Sequence, residues 1–390
     1  MVKGRRKNAF TVILAFAVLL SILLPVLGAP SGPSIFRYDE KRTGNSYLVS
    51  NIVEPGPRWT FETDAAGGTV PIAGDIDGDG SIEVVWGNVE GTLYAINEDG
   101  EELWSFQAQG RLASPPAIGD VDGDGKNEVL IGGSYFKGAG DPNLYALNGE
   151  DGSLLWIFST LNRGAYSTKG FEAAPSLYDI TGDGKLDVLI ASRNHFFYAL
   201  KGADGTILWQ SQFEHFIRAS SPIGDIDNDG NDEIVVGDNH AIVRLFEMDG
   251  SVDWEINAGY GIIATPIFED VDGDGYDEII FFTYGREGRG IPGAPLVYNH
   301  DGSLLWTNTD YQFFYSTPTI YDVDGDGLAD ILNVDTDNQV LIAYRGMDGA
   351  ILYTSSPFEK KFMGPGLVTA DIDGDGEIEV LVGANPNLFS

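Results

Sequence analysis

The feature that most constrains this chain is a nine-residue pattern, D-x-[DT]-x-D-G-x-x-[DE], that recurs seven times. Its copies begin at Asp75, Asp120, Asp179, Asp225, Asp270, Asp322 and Asp371, at intervals of 45, 59, 46, 45, 52 and 49 residues. A period of this size belongs to chains that stack one supersecondary unit, the propellers and solenoids. Short apolar runs flank the copies. Ahead of them stand Ser114-Pro115-Pro116-Ala117-Ile118, Thr265-Pro266-Ile267-Phe268 and Thr317-Pro318-Thr319-Ile320. Behind them follow Glu128-Val129-Leu130-Ile131, Glu233-Ile234-Val235-Val236 and Glu278-Ile279-Ile280-Phe281. Brief apolar runs of this kind, bounded by glycine, read as buried strands.

A second module follows most copies. Leu93-Tyr94-Ala95-Ile96 leads through Asp99-Gly100 to Leu103-Trp104, and Leu144-Tyr145-Ala146-Leu147 leads through Asp151-Gly152 to Leu155-Trp156. The pattern returns with Trp209, Trp254, Trp306 and, in variant form, Tyr353. Each is a hairpin turned at a glycine that takes the positive φ such turns need. The unit is therefore strand A, acidic loop, strand B, a connection, strand C, an Asp-Gly turn and strand D. Four antiparallel strands per repeat describe a propeller blade. The expected fold is all-β, a seven-bladed β-propeller with a calcium loop between strands A and B of each blade, preceded by an N-terminal signal or anchor helix. Seven A–B pairs are present but only six complete C–D hairpins. Arg58-Trp59-Thr60-Phe61 resembles Leu103-Trp104-Ser105-Phe106, so Trp59 is expected on the outer strand of the last blade. Asn385-Pro386-Asn387-Leu388-Phe389-Ser390 resembles the start of a C strand. The closing blade is then a composite, or its next hairpin is missing from the sequence.

Acids at positions 1, 3, 5 and 9 gather carboxylates around one point, where mutual repulsion calls for a cation. Oxygen ligands in a flexible loop suit Ca²⁺, which accepts 6–8 of them. Position 7 offers a backbone carbonyl, and Gly at position 6 permits the sharp turn. The expected ligand sets are Asp75, Asp77, Asp79, Ser81 and Glu83; Asp120, Asp122, Asp124, Lys126 and Glu128; and Asp179, Thr181, Asp183, Lys185 and Asp187. The next are Asp225, Asp227, Asp229, Asn231 and Glu233; Asp270, Asp272, Asp274, Tyr276 and Glu278; and Asp322, Asp324, Asp326, Leu328 and Asp330. The seventh is Asp371, Asp373, Asp375, Glu377 and Glu379. That makes about seven Ca²⁺ sites, the third weaker because Thr181 replaces an acid. EF-hand and dockerin loops also begin D-x-D-x-D-G, but they need an acid at position 12 and flanking helices. Position 12 here is Trp86, Ile131, Ile190, Val236, Phe281, Asn333 and Val382, which excludes them.

Together these features resemble the FG-GAP/VCBS calcium-binding propellers, the group that includes the integrin α-subunit N-terminal propeller, over about residues 55–390. Gly293-Ala294-Pro295 is the one literal match to that family's Gly-Ala-Pro signature. The C–D hairpins, with Phe36-Arg37-Tyr38-Asp39 and Arg42-Thr43-Gly44, look instead like PQQ-like propeller repeats. That second family includes quinone-dependent dehydrogenases, yet no vicinal cysteine pair and no catalytic constellation is present. The resemblance implies calcium and a scaffold, with no catalytic residue and no organic cofactor.

Composition limits the partners. The chain has 59 Asp plus Glu against 23 Lys plus Arg, a formal charge of −36. Four of the bases and none of the acids lie in the first 30 residues, leaving 19 against 59, a balance of −40. So acidic a chain repels phosphate backbones, which excludes nucleic acid. It has no cysteine, hence no disulfide or thiolate site, and its four histidines argue against a multi-histidine metal centre. Lys3, Arg5, Arg6 and Lys7 precede an apolar run from about Ala9 to Gly28. Residues 1–30 therefore read as a signal peptide or N-terminal membrane anchor, 31–54 as linker and closing segment, and 55–390 as the propeller. The expected location is secreted or cell-surface, with membrane contact only through the N-terminal segment if uncleaved.

In such a blade the A–B and C–D turns share one face, and the B–C connections and D–A links share the other. The second face collects Arg111, Lys137, Arg163, Lys169, Arg193, Arg218, Arg286, Arg289, Lys360 and Lys361 together with many aromatics. Arg and aromatic residues are enriched at interaction hot spots. The expected function is a non-enzymatic binding, adhesion or scaffold module, its partner an extracellular protein or an acidic glycan on the face opposite the calcium loops. The alternative is an extracellular polysaccharide lyase or a quinone-dependent enzyme on the same scaffold.

Overall fold

The computed structural model describes residues 12–13, 59–63, 65–136, 138–162, 167–283, 293–311, 316–358, 362–370 and 378–384. Among them are six four-stranded antiparallel sheets, each in the order A-B-C-D of the chain. Sheet 1 consists of Ile72–Gly74, Glu83–Gly87, Thr92–Ile96 and Glu102–Gln107. Sheet 2 consists of Ala117–Gly119, Glu128–Gly132, Asn143–Asn148 and Leu154–Ser159. Sheet 3 follows with Ser176–Tyr178, Asp187–Ala191, Phe196–Leu200 and Ile207–Gln212. Sheet 4 has Ile223–Gly224, Glu233–Gly237, Ile242–Glu247 and Val252–Asn257. Sheet 5 has Ile267–Glu269, Glu278–Phe282, Pro295–Tyr298 and Leu304–Thr307. Sheet 6 has Thr319–Tyr321, Asp330–Asp335, Val340–Tyr344 and Ile351–Thr354.

A further antiparallel pair, Phe362–Ala370 and Glu379–Ala384, supplies the seventh A–B unit. Of the N-terminal 58 residues only Val12–Ile13 is described, a two-residue strand parallel to Val380 and Leu381. The rest of the expected signal or anchor and the linker lie outside the described residues. No helix of the described residues is long and apolar enough to cross a membrane. One small sheet was not expected. Ser134–Phe136, Ala139–Gly140 and Thr168–Gly170 pair with one another, built from the long B–C connection of sheet 2 and the link that follows it.

Burial explains the strand composition. The B strands of sheets 2 to 6 are buried at every residue, which matches the apolar run behind the leading acid in sheets 2 to 5, while sheet 6 also buries Asn333 and Asp335. The D strands alternate, as a strand with one wet face does: Glu102–Gln107 buries Trp104 and exposes its neighbours. The apolar core lies between sheets. Leu130, Leu144 and Trp156 of sheet 2 pack in one cluster with Val188, Phe197 and Tyr198 of sheet 3 and Ile234 and Phe246 of sheet 4. Leu367 and Val380 of the seventh pair pack against Leu332, Leu341 and Ala343 of sheet 6.

A tryptophan relay fixes each of sheets 1 to 5 to the one that follows it. Trp104, Trp156, Trp209, Trp254 and Trp306 each donate the indole N–H to a carbonyl in the C–D turn of the following sheet, at 2.5–2.9 Å. Each ring lies over that turn's glycine. A Cβ at Gly152 would stand 2.6 Å from Trp104, and Gly152 has φ 69°. The turn therefore requires glycine for two reasons, the left-handed backbone and the indole above it. Trp59 makes the same contact with sheet 1: it donates to Glu98 O at 3.0 Å and covers Gly100. Residues 59–63 form no ladder of their own, but Trp59 holds the station of a D-strand tryptophan preceding sheet 1.

Candidate metal centres in the acidic loops

Each described acidic loop begins and ends on one ladder. Gly74 pairs Glu83, Gly119 pairs Glu128, Gly224 pairs Glu233, Glu269 pairs Glu278 and Tyr321 pairs Asp330. The residue before position 1 thus lies opposite position 9, and the loop must turn back within eight residues. Two positive-φ residues accomplish this. Position 6 is Gly80, Gly125, Gly184, Gly230, Gly275 or Gly327, and position 4 is glycine except for Asn228. Position 2 pins the loop from below: Ile76, Val121, Ile226 and Val271 are fully buried, and Val323 nearly so. The sequence carries Ile or Val at this position in all seven copies, a signal that the pattern above left unspecified.

The carboxylates are oriented by backbone N–H groups. In the first loop Asp75 accepts from Gly78 and Gly80, Asp77 from Asp79, and Asp79 from Ser81. Glu83 Oε2 accepts from Ile76 at 3.0 Å. The same bond joins Val121 to Glu128, Ile226 to Glu233, Val271 to Glu278 and Val323 to Asp330. In five loops three carboxylates then converge, with ligand oxygens within 4.8 Å of one another. The sets are Asp75, Asp77 and Glu83; Asp120, Asp122 and Glu128; Asp225, Asp227 and Asp229; Asp270, Asp272 and Glu278; and Asp322, Asp324 and Asp330.

Burial makes these clusters electrostatically costly. Desolvation pushes Glu83 and Glu128 up to about 7, and Glu233 and Glu278 to about 8, against a backbone hydrogen bond that pulls them down. The loop aspartates add to the rise by repulsion. Asp330 rises to about 6 for the same leading reason. Glu278 is wholly buried, and its Oε1 has no hydrogen-bond partner among the described residues. An orphaned carboxylate oxygen beside two aspartates fits a hard divalent cation, which would satisfy it and offset the repulsion.

The third loop differs. Its Asp179, Asp183 and Asp187 are not among the convergent groups. With Thr181 at position 3, the short Asp187 turns to the backbone. Its Oδ2 accepts from Thr181 at 3.2 Å and its Oδ1 from Gly202 at 3.1 Å. Lys185, expected to offer only its carbonyl, sends its ammonium to Asp122 O of the second loop. Asn127 likewise bonds Asp75 O at 2.7 Å, so neighbouring loops touch. Of the seventh loop, Asp371, Asp373, Asp375 and Glu377 lie outside the described residues, while Glu379 is buried and pairs Ala370.

On the opposite face Arg111, Lys169, Arg193 and Arg218 are described, and Lys137, Arg163, Arg286, Arg289, Lys360 and Lys361 lie outside the described residues. Glu172 bridges Arg193 and Arg218, the latter at 2.7 Å. Three of the four histidines meet here. The rings of His195 and His215 stand 6.1 Å apart, and those of His215 and His240 stack at 4.0 Å. Sequence reading missed this group, although His195 and His240 lie 45 residues apart, one repeat, in equivalent turns.

Comparison with known proteins agrees with this geometry. Residues 120–190 and 322–382 match the FG-GAP-like repeat, and residues 57–115 match the lambda-carrageenase beta-propeller domain. A search of curated proteins found no match. Among solved structures, BamB from Moraxella catarrhalis is similar at 18% identity and TM-score 0.57, over 85% of this chain and 89% of that one. Quinohemoprotein alcohol dehydrogenase from Comamonas testosteroni is similar at 13% identity and TM-score 0.51, over 90% and 76%. BBS1N, solved in complex with ARL6DN, is similar at 9% identity and TM-score 0.51, over 82% and 90%. Identities this low speak to the fold alone. The chain is a β-propeller that carries FG-GAP-like repeats and PQQ-like hairpin features.

Proposed function

We propose that this chain is a seven-bladed, calcium-stabilised propeller that acts outside the cell, secreted or held at its surface, as a non-enzymatic binding or scaffold module. The observation that carries the reading is the convergence of three carboxylates in each of five loops along one edge of the sheets, with Glu278 left an orphaned oxygen. The six complete sheets, the seventh A–B pair and Trp59 at a D-strand station together support seven blades. Residues that would hold the ions are the carboxylates of positions 1, 3, 5 and 9, and calcium there supplies charge balance without taking part in chemistry. The opposite face, where connections vary in length and bases meet aromatics, is left for an extracellular protein or an acidic glycan.

A second reading, an enzyme on the same scaffold, is favoured by the match of one sheet to a domain named for a carrageenase. Two measurements separate the readings. Purified protein in calcium is probed against glycan and cell-surface protein arrays, then incubated with acidic polysaccharides and scanned for quinone absorbance. Saturable binding with no product and no quinone band is the expected result. Polymer cleavage or a bound quinone would overturn the module reading.

A further inference from the structure

We propose that the row His195–His215–His240, with Arg193 and Arg218 beside it, is the binding track for the acidic groups of a linear polysaccharide. This deepens the binding-module reading and rests on it. The track crosses a blade boundary. His195 sits in the B–C turn of sheet 3, His240 in that of sheet 4, and His215 in the link between the two sheets. All three therefore project at the end of the sheets away from the acidic loops.

The rings are arranged and held. His195 takes φ 71°, a conformation that a non-glycine residue adopts at a cost, and its Nδ1 lies 2.9 Å from Glu214 O. Phe216 stands edge-on to His195, and the Arg193 guanidinium lies over the Phe216 ring at 5.3 Å. Glu172 fixes both guanidinium groups, with Arg193 mostly buried and Arg218 open to solvent. The result is a run of stacked imidazoles with two guanidinium groups near its His195 end, reached through Phe216 and Glu172. Imidazole and guanidinium N–H groups suit the carboxylates or sulfates of an acidic sugar polymer. A run of rings contributed by two sheets and the link between them matches a polymer better than a point ligand.

Charge points the same way. The whole chain carries −36, so an anion approaches only where cations are concentrated. The three imidazoles stand among charges of both signs. The charged and titratable groups around them are Arg193, Arg218, Glu172, Glu214 and Asp238. Asp238 is fully buried; its Oδ1 accepts the N–H groups of His240, Ala241 and Ile242, and its Oδ2 has no hydrogen-bond partner among the described residues. Burial lowers the His195 pKa, with His215 adding to the fall and Asp238 opposing it. His195 therefore gains its charge only below the ordinary histidine range, and binding should strengthen as pH falls through that point.

The test uses the calcium-loaded chain with alginate, a sulfated galactan and a neutral galactan as probes. The expected order is acidic above neutral, and the two acidic arms show whether carboxylate or sulfate is preferred. His215→Ala with His240→Ala should lower affinity for the preferred polymer about tenfold, equivalent to about 1.4 kcal/mol, with unchanged melting temperature. Arg218→Ala should weaken binding and reduce its salt dependence. Arg345→Ala, at a C–D turn on the loop face, should change neither. Equal binding by the double variant, loss at Arg345→Ala as well, or no binding of acidic polymers by the wild type would each overturn the track. The first two of those outcomes leave the binding-module reading standing; cleavage of a polymer would instead remove that reading.

Discussion

The third and fifth acidic loops share backbone geometry yet leave their carboxylates in different states. In the fifth, Glu278 uses one oxygen on Val271 N and keeps the other buried without a partner, beside Asp270 and Asp272. In the third, Thr181 removes one acid, and Asp187 spends both oxygens on backbone donors. Asp330 of the sixth loop also spends both oxygens on backbone donors, Val323 and Gly346, yet stays in a convergent set with Asp322 and Asp324, so the acid missing at position 3 is what sets the third loop apart. The loop backbone is thus a scaffold common to both. What differs is how many carboxylates meet: three converge in the fifth loop, and the third has no such group among the described residues.

The largest test of this contrast removes the metal. If five or more loops rely on calcium, excess EGTA should lower the melting temperature by on the order of 10 °C or more, since ion binding to the native state alone stabilises it by linkage. A melting temperature indifferent to EGTA would sink the calcium assignment. Next in size is the pH response of the EGTA-treated protein. Folding raises Glu83, Glu128, Glu233 and Glu278 from 4.5 to about 7 or 8, so the folded chain binds these protons more tightly than the unfolded one. Their stabilising contribution is complete below about pH 4.5 and is lost as pH rises through 7–8. Metal-free protein should therefore melt progressively earlier from pH 5 to pH 8, and calcium should shrink or reverse the trend. A flat metal-free profile would contradict it.

The smallest and sharpest test is a pair of substitutions. Glu278→Gln removes an ion ligand but also a buried, repelled charge, so it should destabilise the calcium form by about 1–3 kcal/mol and leave the EGTA form as stable or more so. Asp187→Asn weakens two backbone hydrogen bonds that need no metal, so its loss should be similar with and without calcium. Parallel chemical denaturation in both buffers reads the difference. Matching behaviour of the two variants would break the contrast.

The loops were legible in sequence because their ligands, turn glycines and apolar anchor lie within nine residues and repeat. The station of Trp59 was legible because Arg58-Trp59-Thr60-Phe61 copies Leu103-Trp104-Ser105-Phe106. What stayed hidden depends on contacts that reach beyond the nine-residue loop. The turn of Asp187 toward Gly202 involves a hairpin outside the loop, and Lys185 reaches a carbonyl 63 residues away. The histidine row needs the B–C turns of two sheets and the link between them brought side by side, which no local window records. The small sheet at Ser134–Phe136 arises from irregular connections, where the repeat gives no register to extrapolate.

The tryptophan relay has a consequence for how such a chain can grow. Every repeat from the first to the fifth holds a plug, the D-strand indole, and a socket, the glycine turn that receives the previous repeat's indole. Because plug and socket travel on the same stretch of chain, a duplicated repeat arrives with both of its joints already made. Its neighbours need no new indole joint. Sheet 6 departs from the rule: Tyr353 stands at the plug position and remains partly open to solvent. Copying a unit therefore keeps the indole joints intact along sheets 1 to 5 and would lose one where that run ends, at sheet 6.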